Sequence, residues 1–102
     1  MRRIFFILTF FVYQLSFSQE IDRRLIIFGD AGEMNNKQSF LIESSYDLQI
    51  PQKTKAFFIG DNIYPSGMGL EEPERSRTED ILKSQFEGFR NLGVPVYFLA
   101  GN

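Results

Sequence analysis

Apolar and polar positions alternate in long blocks along this chain, and the blocks predict its elements. Met1-Arg2-Arg3 is a basic start, and Ile4 to Leu15 is an almost unbroken apolar run. Ser16-Phe17-Ser18 then offers small residues where a signal peptidase reads the chain, so residues 1–18 are expected to be a secretory signal peptide cleaved before Gln19. The run is shorter than the ~20 apolar residues that span a bilayer, which disfavours an uncleaved anchor. Its Phe and Ile residues occupy every side, which disfavours an amphipathic core helix.

The pattern after the leader is strand, helix, strand, helix, strand. Leu25-Ile26-Ile27-Phe28 and Ala56-Phe57-Phe58-Ile59 are short continuous apolar runs ended by Gly, as expected of strands buried on both faces. Between them a helix is predicted from Lys37 to Leu48, capped by Asn35 or Asn36 and stopped by Pro51. Phe40, Leu41, Ser44/Ser45 and Leu48 form its expected inner face. Asn62 to Arg75 reads as a long loop. Its acidic residues Glu71, Glu72 and Glu74 favour a solvated connector over a rim for substrate. Arg75 and Arg77 likewise read as solvated partners of Glu. Ser76-Arg77-Thr78-Glu79 has the form of a capping box and opens a second helix reaching Leu92, with Ile81, Leu82, Phe86 and Phe89 inward and Gly93 ending it. Val94 to Leu99 is the third strand. Alternating elements of this kind predict an α/β fold with parallel strands.

All three strands then end on Gly followed by a short oxygen-bearing residue: Gly29-Asp30, Gly60-Asp61 and Gly101-Asn102. Parallel strands bring those ends to one edge of the sheet, where α/β folds bind ligands. Two carboxylates and an amide oxygen suit a hard cation. Each residue alone fits a local turn or cap equally well. The spacing leaves a metal site and a phosphate-binding domain both open.

Composition narrows the chemistry. The 102 residues contain no Cys and no His, so zinc-thiolate and imidazole sites cannot be built from them alone. Losing Arg2 and Arg3 with the leader takes the net charge from −2 to −4, which leaves no electrostatic footprint for nucleic acid.

Phe28-Gly29-Asp30-Ala31-Gly32, Ile59-Gly60-Asp61-Asn62-Ile63-Tyr64 and Leu99-Ala100-Gly101-Asn102 resemble the first three sequence blocks of the calcineurin-like metallophosphoesterases. They are most similar to the purple acid phosphatase branch and its small tartrate-resistant members, whose blocks read G-D-x-G, G-D-x-x-Y and G-N-H-[DE]. The likeness runs from about Leu25 to Asn102. Most of the superfamily begins D-x-H, with the His a metal ligand. Here Gly32 replaces that His and Tyr64 stands where the purple branch has its compensating ligand.

This resemblance implies the first, β-α-β-α-β, half of a four-layer α/β/β/α metallophosphoesterase sandwich in residues 19–102, truncated before its remaining blocks. It implies a binuclear centre of iron plus a second divalent metal (Fe, Zn or Mn). Asp30 and Tyr64 would bind the iron, Asp61 would bridge the two metals, and Asn102 would bind the second. The family's His ligands are not in this chain, so by itself it is expected to be inactive. The implied activity is acid-phosphatase-like hydrolysis of phosphorylated small molecules or proteins by a secreted or periplasmic enzyme with no membrane span after cleavage. A phosphodiesterase or nucleotide pyrophosphatase of the same superfamily, or a non-catalytic binding module, are the alternatives.

Overall fold

The computed structural model describes residues 19–101, so the expected leader (1–18) and Asn102 lie outside the described residues. The described chain is a small α/β domain. A three-stranded parallel sheet carries β1 (Arg24–Phe28), β2 (Thr54–Phe58) and β3 (Val96–Phe98) in the order β1-β2-β3. Helix α1 (Asn36–Ser45), prolonged by a 3-10 turn at Tyr46–Leu48, joins β1 to β2, and α2 (Glu74–Asn91) joins β2 to β3. Among the described residues, no helix is long and apolar enough to cross a membrane.

One face of the sheet holds the core. Ile26, Ala56 and Phe58 pack against Ile42 of α1 and Phe89 of α2, with Val94 closing the end. Phe28, Phe58 and Phe98 stand level in the register and stack across the strands, with centroids 5.0 and 5.1 Å apart. Such cross-strand aromatic pairs fix the relative height of neighbouring strands. Here they fix the height of the three strand tips.

The opposite face is bare, which corrects the expectation that these strands are covered on both sides. Leu25 and Ile27 are each 57 % exposed, and Ile59, Tyr97 and Leu99 are also exposed. Strands laid down in sequence order send successive crossovers to the same side, so both helices cover one face. On the bare side Phe57 stacks on Tyr97 at 5.1 Å.

The helices differ from expectation in detail. Asn35 caps α1, its side-chain oxygen accepting from the amides of Lys37 and Gln38 at 3.0 Å each. The helix turns Ile42 and Ser45 inward and leaves Phe40 and Leu41 outward, 68 % and 61 % exposed. Of the expected inner face Ser45 is buried, whereas Phe40, Leu41 and Leu48 are exposed and Ile42 points inward instead. Ser76 and Glu79 form no capping box. Helix α2 starts earlier, and the Glu72 carboxylate accepts from both the Ser76 amide (3.2 Å) and hydroxyl (2.6 Å). Glu79 instead pairs with Arg75 at 3.1 Å. The buried stripe of α2 contains Ile81 and Phe89 as expected, but also Thr78 and Gln85, while Leu82 and Phe86 are only half-buried. The turn after α2 closes at Gly93, whose amide bonds the Arg90 carbonyl at 3.0 Å.

Candidate metal centre

The centre grows from the level strand tips. Asp30 follows β1 by one glycine, and Asp61 follows β2 by Ile59 and Gly60. Both aspartates adopt left-handed backbone, φ 52° and φ 48°. Non-glycine residues occupy that region rarely and at a cost, and Asp and Asn are among the few that tolerate it. The two bends turn the carboxylates to a common point, where Tyr64 meets them. Its Oη lies 2.7 Å from Asp30 Oδ1 and 3.0 Å from Asp61 Oδ2.

This contact has more acceptors than protons. A phenol donates one hydrogen bond, and an ionised carboxylate donates none. Three oxygens thus converge with a single proton among them, and two carboxylates repel each other across it. Hydrogen bonding to Asp30 first, then burial, then hydrogen bonding to Asp61, push the Tyr64 phenol well above its usual range. A cation at the same point would relieve the repulsion and take all three oxygens as donors. Among the described residues no three His, Cys, Asp or Glu side chains gather. The cluster is two carboxylates and a phenol.

Backbone contacts hold the two tips to each other. Gly32 N donates to Asp61 O at 3.0 Å, and Tyr64 N donates to Gly32 O at 3.1 Å. The strands pass so closely that a Cβ on Gly32 would lie 2.5 Å from Asp61 O, 2.5 Å from Ile63 N and 2.6 Å from Asn62 C. Position 32 has no room for any side chain, and the space is filled by the backbone that delivers Asp61 and Tyr64. At the third tip, Asn62 Nδ2 donates to Leu99 O at 2.7 Å, and Gly101 packs directly on Asp61. Of the four residues singled out, Asp30, Asp61 and Tyr64 are brought together. Asn102, directly after Gly101, lies outside the described residues.

The connector from Asn62 to Pro73 is mostly exposed, as its acidic residues suggested, but α2 anchors it at Asn62, Tyr64 and Gly69 as well as near the helix start. Gln85 Nε2 donates to Asn62 O at 2.7 Å, Arg77 Nη1 to Tyr64 O at 3.0 Å, and Gly69 N to Thr78 Oγ1 at 3.1 Å. Arg77 also pairs with Glu74 at 2.9 Å. Its surface pair was legible in the sequence and its reach to Tyr64 was not. A polar Gln85 on the stripe between Ile81 and Phe89 was the available signal for the first anchor. A cleft of about 620 Å³ opens beside Tyr64, lined by Gly32, Glu33, Met34, Pro65, Arg77 and Ile81.

No protein-family model, no curated protein and no solved structure matches the chain.

Proposed function

We propose that this chain carries part of a binuclear metal centre for phosphoester hydrolysis, of the purple-acid-phosphatase kind. The observation that carries the reading is the Tyr64 hydroxyl set between the Asp30 and Asp61 carboxylates. The donor set fits the group the sequence resemblance implies. Carboxylate and phenolate oxygens are hard donors suited to ferric iron and other hard ions. Asp30 and Tyr64 would hold the iron, Asp61 would bridge to a second ion (Fe, Zn or Mn), and Asn102 would complete the second ion's share from this chain.

A pair of metal ions held there would supply charge neutralisation at phosphate oxygens and an acidified water. The protein's own part is positional and electrostatic. The carboxylates fix where positive charge sits, and the locked tip loops keep that position from relaxing. The cleft beside Tyr64 would be open to the leaving group of a phosphorylated small molecule or protein. A complete four-layer α/β/β/α sandwich would set its second sheet against the bare face of Leu25, Ile27, Phe57, Ile59, Tyr97 and Leu99. Residues 1–18 would direct the protein out of the cytoplasm, to the periplasm or the exterior.

Ferric iron added to the chain should raise a phenolate-to-iron absorption band in the visible. Tyr64→Phe should abolish it, and an unchanged band would remove Tyr64 from the centre. The codons after Asn102 should encode His next and further His-bearing segments downstream. Codons encoding none would refute the hydrolase reading.

A further inference from the structure

The segment Asp61–Tyr64 supplies two of the three converging oxygens, and every carbonyl along it is held. Asp61 O accepts from Gly32 N at 3.0 Å, and Ile63 O accepts from Gly67 N at 3.3 Å. Asn62 O accepts from Gln85 Nε2 at 2.7 Å, and Tyr64 O from Arg77 Nη1 at 3.0 Å. The last two donors are side chains of α2. Arg77, Ile81 and Gln85 follow one another at helical i, i+4 spacing, so they share a face and reach the loop side by side.

Gln85 is fully buried in a stripe that Met or Leu could fill. Its amide nitrogen serves Asn62 O, and secondarily Ile81 O at 3.3 Å, while its amide oxygen has no protein partner. Burying an unpaired acceptor is unfavourable. As simple packing, the residue is therefore a poor choice. What it adds over an apolar side chain is the donor to the Asn62 carbonyl, one residue from Asp61 and two from Tyr64. That segment needs holding, because the left-handed Asp61 backbone is intrinsically disfavoured and persists only where its surroundings determine it.

We propose that Gln85 and Arg77 are positioning residues of the centre, through which α2 acts as a template for the backbone of Asp61–Tyr64 and so for the placement of the Asp61 carboxylate and the Tyr64 phenol. The functional meaning of this clamp rests on reading Asp61 and Tyr64 as metal ligands; the clamp itself is a property of the metal-free chain.

The test uses the chain labelled with ¹³C-tyrosine and ¹⁵N, and two variants, Gln85→Met and Arg77→Met. Arg77 is partly exposed, so its variant will fold even if the buried substitution does not. Without metal, both variants should shift the Tyr64 ring signals and the Asp61 and Ile63 amide signals. Val94→Ala, which trims the core just before β3 at the end of the sheet opposite the strand tips, should leave them in place. With ferric iron added, the affinity read from the visible band should fall about tenfold or more, the usual loss when an outer-shell partner is removed. Metal-free spectra of both variants that superimpose on the parent at Asp61, Ile63 and Tyr64 overturn the proposal. Absence of any iron band in the unsubstituted chain sinks the ligand reading instead, and the metal-free shifts still decide the clamp.

Discussion

Replacing Gly32 with Ala adds one methyl group where two strand tips already touch. The new carbon would lie 2.5 Å from both Asp61 O and Ile63 N, all of it backbone that no rotamer change can move. Ordinary carbon contacts sit near 3.5–4.0 Å, so the loops must separate by about 1 Å or more. That separation stretches the Gly32–Asp61 and Gly32–Tyr64 hydrogen bonds, now 3.0 and 3.1 Å, beyond useful length. Each lost bond costs about 1 kcal/mol, and overpacking costs a further ~1–3 kcal/mol. The expected loss is about 3–5 kcal/mol, offset by less than ~1 kcal/mol from the stiffer unfolded chain. Small domains hold only ~5–15 kcal/mol in all, so this is a large share. Urea unfolding followed by circular dichroism measures it. Gly29→Ala is the control, because its Cβ would meet nothing nearer than Ile59 Cγ1 at 4.0 Å, and it should change stability by no more than about 0.5 kcal/mol. A Gly32→Ala protein within about 1 kcal/mol of the parent would show that the tips are not locked together in this way. The same crowding means that Gly32→His cannot add a ligand here and should unfold the chain rather than improve metal binding.

Other outcomes follow from single contacts. Glu72→Ala should cost about 1 kcal/mol by removing the acceptor at the start of α2, whereas Glu79→Ala should cost only about 0.3 kcal/mol, as expected of an exposed pair; equal losses in thermal unfolding would restore the capping box. Phe58→Ala, at the fully buried centre of the stacked ladder, should cost about 3–5 kcal/mol in urea unfolding. Tyr64→Phe should destabilise the metal-free chain at neutral pH. The phenol's pKa is raised on folding, so its contribution is complete below the unfolded value of about 10 and is lost as pH rises beyond it toward the folded one. The stability gap between parent and variant should therefore narrow in strongly alkaline solution, and a gap that widened there would show that the phenol is not hydrogen-bonded to the carboxylates.

Much of the architecture was legible in the chain because it depends on local pattern. Apolar runs ended by Gly marked three strands, Asn35 and Asn36 marked the start of α1, and helical spacing marked the body of α2. The alternation of elements made the sheet parallel, and parallel strands put Asp30 and Asp61 on one edge without knowledge of any contact. Tertiary structure decided what depends on neighbours distant in sequence. Placing both helices over one face left Leu25 and Ile27 bare, although both sit in a run that reads as buried on both faces. Glu72, reaching from the loop, displaced the capping box that Ser76 and Glu79 spell out. Tyr64 meets an aspartate 34 residues away because β1 and β2 pair in parallel register and the backbone of Gly32 bonds Asp61 and Tyr64. The resemblance to metallophosphoesterase blocks set Gly32 where most of that superfamily has a His. The fold shows why nothing else fits there: a side chain would need the space through which the backbone carrying Asp61 and Tyr64 must pass.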